Sequence, residues 1–308
     1  MRMWDALISR QEGYINFNPE THAAIASTKL AVIGAGGNGA VIDLLVRAGF
    51  TKFVIIDPDT IDLTNLNRLP FYPEHADLPK VECWKKHILA LNPECEVTAH
   101  QKKVTRYDGS WLARELSGVS LVFLGTTDSE ANLVTGRVAA RLGIRMIIGP
   151  ASSGSAVVST FLHSNDLTLE NVGKLGTEGI PLEEIDYGAL RTRHFAALAY
   201  PGRDRNYRPE IWEGMRNWTG TARSCGIFVR LTNAVMAFEG VKNAISLNGL
   251  PLLGTRIIAI PEAQIFDPRT GCAYLLNILT GEIGIPDWLT GQTRWENMPA
   301  GMQTAEQP

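Results

Sequence analysis

Cysteine is scarce in this 308-residue chain, with Cys83, Cys95, Cys225 and Cys272 the only four. No two of them form a CxxC pair, so their spacing suggests neither a zinc site nor a disulfide framework. Four reduced thiols in a cytoplasmic protein are the expectation. Long hydrophobic runs are missing too. No stretch reaches the length of about 20 apolar residues that a membrane-crossing helix needs. The opening "MRMWDALISRQEGYINFN" is too polar to read as a signal peptide. Positive charge is not in excess: 29 Lys and Arg face 32 Asp and Glu, for a net charge of −3. That balance argues against a general nucleic-acid binder. The six histidines show no metal-ligand spacing, no Ser/His/Asp triad can be read, and no internal repeat is present. With 45% hydrophobic and 20% charged residues, what remains is a globular chain long enough for one large domain or two unequal ones.

What is there is an alternation. "KLAVIG" from Lys29 is short, aliphatic and strand-like. A glycine turn and the helical "NGAVIDLLVRAGF" follow, then a second strand, "FVIID". "LPKVECWKKHILALNP" is an amphipathic helix stopped at Asn92-Pro93. "ECEVTAH", "VSLVFLGTTD", "RMIIG" and "SAVVSTFL" are further strands, with the helical "SEANLVTGRVAARLG" among them. The pattern predicts an α/β fold, a Rossmann-like doubly wound and mostly parallel sheet covered on both faces. The expected divisions are a helical lead-in over 1–28, a nucleotide-binding core over 29–162, a long crossover loop over 163–222, a helix and strands completing the sheet over 223–280, and a tail over 281–308. In the fourth division "GIFVRLTNAVMAFEGVKNAI" is a strong helix, and "TRIIAIP", "AQIFDP" and "CAYLLNI" read as short strands of an antiparallel extension. The tail is rich in Gly, Pro and Thr and is expected to be loose.

The turn itself reads GAGGNG. Gly34, Gly36 and Gly39 match GxGxxG, and Gly37 is an extra glycine. The first glycine permits the tight turn, the second admits phosphate close to the backbone, and the third lets helix and strand pack. Free N–H groups at the helix start then face an anion. Asp57, 23 residues after Gly34, suits a carboxylate that accepts hydrogen bonds from ribose hydroxyls. These residues specify an adenine nucleotide without choosing NAD over ATP.

The choice comes downstream, in "DPDTIDLTNLNRLPF" and "DLPKVE". Cleaving the α–β bond of ATP builds negative charge on pyrophosphate, which positioned cations stabilise. Arg68 offers a fork for phosphate oxygens and Lys80 a compact point charge. Asp128 in "LGTTD" falls near the crevice where open parallel sheets bind ligands, and a carboxylate there can hold magnesium across phosphates. A redox enzyme has no need of Asn65, Arg68 and Lys80 in these places.

GAGGNG, DPDTIDLTNLNR, LPKVE and TTD taken together resemble the ThiF/MoeB/HesA superfamily of ubiquitin-activating-like adenylyltransferases. The resemblance covers roughly residues 5–161 and, more weakly, the helix 226–246 and the strands after it. It implies that ATP is the nucleotide and that Asp57 binds its ribose, with Asp59 in the same nucleotide-binding set. It assigns the phosphates to Asn65, Arg68 and Lys80, and magnesium to Asp128. "SRQ" at Ser9–Gln11 is similar to the family's N-terminal arginine finger, which implies that Arg10 reaches the ATP of a neighbouring subunit in a homodimer. Arg68-Leu69 stands where the family usually has Arg-Gln, and the charge is kept.

Two departures matter more. The zinc cysteines of many members are absent, and 163–222 holds no cysteine to form a thioester. Cys225 lies just past that loop at the start of a helix. A helix N-terminus lowers a thiol's pKa and can make it reactive, but a cysteine in such a place is more often buried packing. Without a thioester, an acyl adenylate is consumed directly by a nucleophile, as in the superfamily's peptide-modifying enzymes of microcin C and pantocin biosynthesis. The superfamily's tRNA-modifying dehydratases also act without zinc. The crossover loop carries Arg191, Arg193, Arg203 and Arg205 among Phe195, Tyr200 and Tyr207. Such a stretch can grip an acidic peptide or RNA, and the overall acidity favours a peptide or small-protein carboxylate over tRNA. Activation of a ubiquitin-like or sulfur-carrier protein at its C-terminus is the alternative within the same chemistry. An NAD- or FAD-dependent oxidoreductase is the alternative outside it.

Overall fold

The computed structural model describes residues 3–14, 16–149, 151–152, 155–163, 167–188, 190, 224–267, 272–280, 282–286 and 293–296. Two helices lead in, α1 (Met3–Ile8) and α2 (Pro19–Ser27). Five strands follow: β1 (Lys29–Ile33), β2 (Lys52–Ile56), β3 (Glu96–His100), β4 (Leu121–Leu124) and β5 (Arg145–Ile148). The helices between them are α3 (Val41–Ala48), α4 (Lys80–Leu91), α5 (Gly109–Glu115) and α6 (Ser129–Leu142). These five strands are parallel, in the order β3-β2-β1-β4-β5. The order reverses direction between β1 and β4, the switch point where open α/β sheets bind their ligands.

Apart from the edge strand β3, whose EVTAH has no buried residue, the strand sequences are almost continuously apolar because both faces are covered. Alternate residues divide between two cores. Leu30, Val32, Phe53, Ile55, Leu121 and Phe123 face one core with α2, α3 and α4. Ala31, Ile33, Val54, Ile56, Val122 and Leu124 face the other with α5 and α6.

Past β5 the sheet turns antiparallel through β6 (Ala151–Ser152) and β7 (Ser155–Phe161), then β8 (Glu262–Asp267) and β9 (Cys272–Asn277). The expected antiparallel extension is therefore present, and it runs further than expected. The stretch after 280 contributes β10 (Ile283–Pro286) and β11 (Thr293–Glu296). Their main-chain pairing with β9 and with each other places them in the sheet where a loose tail was expected. "TRIIAIP" forms no strand; Ala259 makes only an isolated bridge to Thr160. The backbone there bonds side chains of the long helix α8 (Gly226–Leu247) instead. Lys242 Nζ donates to Arg256 O at 2.7 Å, and Ile258 N donates to Glu239 Oε2 at 3.3 Å. Lys242 and Glu239 also pair with each other, both buried.

The expected crossover loop is also folded over its first part. Helix α7 (Leu169–Val172) starts from the Thr168 cap. Leu175, Ile185 and Leu190 pack on Leu133 of α6. Arg137 of α6 holds Glu170 with two nitrogens, at 3.0 and 2.7 Å, and donates to Thr177 O and Ile180 O, both at 2.6 Å. A guanidinium's planar fork spans this distance and tethers the segment.

The lead-in is fixed to the far end of α3. Trp4 Nε1 donates to Gly49 O at 3.0 Å, and Gln11 Nε2 donates to Arg47 O at 2.6 Å. His22 of α2 is completely buried beside Trp4 and Phe17, with neither ring nitrogen bonded among the described residues. Burial holds its imidazole below the ordinary value of about 6.5, against an opposing pull from Glu12. The unfolded chain then takes up a proton near pH 6.5 that the folded chain refuses. Stability is therefore expected to fall as pH drops below about 6.5, by at most about 1.4 kcal/mol per pH unit from this residue. Urea unfolding at pH 7.5 and 5.5 checks it, and His22→Phe is expected to reduce the difference.

Candidate nucleotide site at the switch point

Gly34 leaves β1 with φ +89° and donates its N–H to Ile56 O at 2.8 Å. A Cβ there would lie 2.6 Å from Thr126 N, in the loop after β4. The Gly34 carbonyl is equally crowded. Cβ atoms at Gly39 and Gly125 would stand 2.5 and 2.7 Å from its oxygen. Three backbones therefore meet without side chains at one point. Gly36 differs, because a Cβ there would meet nothing within 4 Å. Its open face is the approach that the second glycine of the motif provides. Two residues not read from the sequence hold the loop from outside: Trp84 Nε1 donates to Ala35 O at 2.9 Å, and Asn233 Nδ2 donates to Gly37 O at 3.1 Å.

Asp57 is the first residue after β2. Its carboxylate accepts from Ala35 N at 2.6 Å and from Asp59 N at 2.9 Å. Desolvation raises its pKa, while Lys80 and these two N–H groups oppose the rise. Asp57 thus braces the glycine loop against the next turn. Asp59 is the more accessible acid, with its side chain 63% exposed. Lys80 begins α4 and lies between the two, 2.7 Å from Asp59 Oδ2 and 3.8 Å from Asp57 Oδ1. Its side chain is only 9% exposed, so the ammonium is aimed by this pair of acids.

Asn65 is buried in a short helical turn whose cap is Asp62, and its Oδ1 accepts from Asp62 N at 3.4 Å. The turn carries Arg68 to the glycine loop. A Cβ at Gly37 would lie 3.3 Å from Arg68 Cδ and 3.4 Å from its Nε. Arg68 Nη1 donates to Thr64 O at 2.8 Å and Asn67 Oδ1 at 2.9 Å. Nε and Nη2 have no partner among the described residues. Burial lowers the guanidinium's pKa slightly against the pull of Asp62, and arginine remains charged.

Asp128 was expected at the end of the fourth strand. It lies beyond that end, as the cap of α6, because its Oδ1 accepts from Glu130 N at 2.9 Å and Ala131 N at 3.2 Å. Its Oδ2 faces Lys103 Nζ at 3.0 Å, a partner the sequence did not suggest. Arg10 is exposed on the turn after α1. That turn is docked at the C-terminal end of α3, about 12 Å of helix away from the chain's own glycine loop. The glycine turn, Asp57, Asp59, Asn65, Arg68, Lys80 and Asp128 thus border the same end of the sheet, and Arg10 does not join them. Arg191, Arg193, Arg203 and Arg205 lie outside the described residues. Cys225 is exposed at the start of α8, so buried packing does not account for it. Cys83 and Cys95 are buried, and burial pushes the Cys95 thiol up to about 11.

A family profile described as ThiF family matches residues 8–246. The chain belongs to the ThiF family. Ubiquitin-like modifier-activating enzyme 5 of Drosophila willistoni is 38% identical over 85 residues, 27% of this chain and 21% of that protein. The Xenopus laevis protein of the same name is 36% identical over 90 residues, 29% of this chain and 23% of that protein. The matched stretch spans about a fifth of these relatives' length. Among solved structures, PaaA superposes with a TM-score of 0.63 at 15% identity, covering 90% of this chain and 82% of that one. E. coli MccB solved with ATP superposes at 0.61 and 16% identity, covering 84% and 66%. These two share the ThiF-like fold. No helix among the described residues is long and apolar enough to cross a membrane.

The glycines separate packing from ligand access. Gly36→Val is expected to leave the melting temperature within about 2 °C, because its side chain enters open space. It is also expected to weaken ATP binding more than about tenfold, because that space is the approach to the loop. Gly39→Ala forces a methyl onto the Gly34 carbonyl and is expected to cost about 1–3 kcal/mol. Thermal denaturation and ATP titration calorimetry on both variants check the contrast.

Proposed function

We propose that this ThiF-family chain is an ATP-dependent adenylyltransferase that activates a carboxylate of a peptide or small protein. The observation that carries the reading is the placement of Arg68 along Gly37, with Nε and Nη2 unpaired among the described residues, together with the buried ammonium of Lys80 held by Asp57 and Asp59. Cations at the rim of a glycine loop serve a leaving pyrophosphate and have no part in hydride transfer. Backbone N–H groups at Gly36–Gly39 receive the phosphates. Asp57 braces that loop and is the carboxylate for the ribose, with the more exposed Asp59 beside it in the same nucleotide-binding set. Asn65 holds the turn from which Arg68 projects.

The substrate carboxylate oxygen attacks the α-phosphorus, and the bond from that phosphorus to the β-phosphate's bridging oxygen breaks. Pyrophosphate leaves, and the acyl adenylate remains. Arg68 and Lys80 stabilise the charge that builds on the departing oxygens. Magnesium, when bound, neutralises phosphate charge. Asp128 would hold it through Oδ2, the oxygen now paired with Lys103, since Oδ1 caps α6. A nucleophile next attacks the acyl carbon and AMP departs, with no thioester between. The fold shared with MccB, solved with MccA peptides, supports a peptide substrate and a place in peptide-antibiotic maturation. Identity to ubiquitin-like modifier-activating enzymes favours a second reading, in which the carboxylate is the C-terminus of a ubiquitin-like or sulfur-carrier protein.

Arg10 supports a homodimer, since its place at the far end of α3 suits a finger reaching the partner's site. Lys80→Ala and Asp128→Ala are each expected to lower ATP–pyrophosphate exchange, screened over candidate peptides, by about 100-fold or more. ATP, not NAD, is expected to raise the melting temperature of the wild type. Undiminished exchange in both variants, or stabilisation by NAD alone, would overturn the assignment. Mixing inactive Arg10→Ala and Lys80→Ala subunits is expected to restore exchange, because a mixed dimer contains one intact site. Full exchange by Arg10→Ala alone would place Arg10 outside the reaction, and no recovery on mixing would exclude its action across a dimer.

A further inference from the structure

Among the described residues, the side chain of Asn67 is the one that bonds both the guanidinium of Arg68 and the segment leading into α8. Its Oδ1 accepts from Arg68 Nη1 at 2.9 Å. Its Nδ2 donates to Ser224 O at 2.9 Å. Arginine offers only donors and a carbonyl only accepts, so this orientation of the amide is the one both partners allow. Ser224 is the first described residue after 191–223, and α8 starts two residues later.

The contact is reinforced by shape. A Cβ at Gly226 would stand 2.0 Å from Asn67 O, so α8 begins flush against this turn and only glycine fits. One turn further along, Val229 Cγ1 would lie 3.5 Å from a Cβ at Gly37. One turn beyond that, the fully buried Asn233 donates to Gly37 O. The first two turns of α8 therefore touch the Arg68 turn and the glycine loop together.

Geometry at the guanidinium gives this a consequence. Both bonds of Arg68 to the protein come from Nη1, one to Thr64 O and one to Asn67 Oδ1. Two bonds at one nitrogen of a planar group fix the plane. The Nε–Nη2 edge, the one that makes a two-pronged contact with phosphate, is then held facing out along Gly37. Displacing Ser224 releases Asn67, and releasing Asn67 frees that plane to rotate about Cδ–Nε.

We propose that Asn67 is a positioning residue that makes the phosphate-facing edge of Arg68 depend on the placement of residues 224–226, and so couples the end of the crossover segment to the triphosphate. The inference rests on the reading of Arg68 as a phosphate ligand. Glutamine is the other side chain with a carboxamide, whose donor nitrogen and acceptor oxygen are separate atoms. Aspartate keeps the acceptor for Arg68 and turns a second acceptor toward the Ser224 carbonyl, so it retains one arm and breaks the other.

Titration calorimetry on the full chain, with the non-hydrolysable analogue AMPCPP and with AMP, tests the coupling. Arg68→Ala is expected to weaken AMPCPP about tenfold or more and leave AMP unchanged. Asn67→Ala and Gly226→Ala are expected to show the same selective loss, three- to tenfold, with Asn67→Ala melting within about 2 °C of wild type. Asn67→Asp is expected to fall between Asn67→Ala and wild type, and Asn67→Gln to recover part of the loss. If Arg68→Ala weakens AMPCPP and neither Asn67→Ala nor Gly226→Ala does, the coupling is wrong and the Arg68 reading stands. Equal loss of AMPCPP and AMP in Asn67→Ala reduces Asn67 to general packing and overturns the proposal. An unchanged Arg68→Ala overturns both readings.

Discussion

The carbonyl of Gly34 sits where three chain segments cross, and the site takes its shape from that crossing. It leaves no room for a side chain at Gly39, which lets α3 start against β1, or at Gly125, which lets the loop after β4 pass. Because these backbones pass so close, the loops after β1 and β4 open side by side at the switch point. Any bulk at the crossing would push apart the two loops that carry the glycine turn and Asp128.

Around that crossing the polar groups hold one another in place. Asp57 ties the glycine loop to the turn before Lys80, Asp59 and Asp57 aim Lys80, and Asn67 aims Arg68. Asp57 and Asn67, which help to position the two cations, are themselves bonded to backbone, and such fixing limits the reorganisation needed when charge develops. Asp128 is split in the same way, with one oxygen spent on α6 and the other resting on Lys103.

Much of this was legible beforehand, for identifiable reasons. Strands buried on both faces read as unbroken aliphatic runs, so β1, β2 and β4 at the centre of the parallel sheet followed from KLAVI, KFVII and LVFL. The glycine turn and the acid after β2 are spaced by local geometry, which a sequence records directly. The strands β10 and β11 were missed because glycine and proline mask pairing on an outer sheet. "TRIIAIP" was misread because its backbone bonds Glu239 and Lys242, polar residues inside an otherwise apolar helix. Trp84, Lys103, Asn67 and Asn233 carried no local signal, since each acts on a residue distant in sequence or bonded through an amide that looks like any other.

The sequence by itself determined the alternating α/β order, the glycine turn, and the set of acids and cations that accompany it. Periodicity and short-range spacing suffice for these, because helices, strands and tight turns are decided by neighbouring residues. The tertiary structure alone decided which of the acids stay exposed, which way Arg68 points, and that the start of α8 rests on its turn. Those outcomes depend on desolvation and on close approach of segments far apart in the chain, such as Asn67 and Gly226. Nothing in the residues around either one specifies the other; they meet because one core packs α8 and the glycine loop on the same face of the sheet.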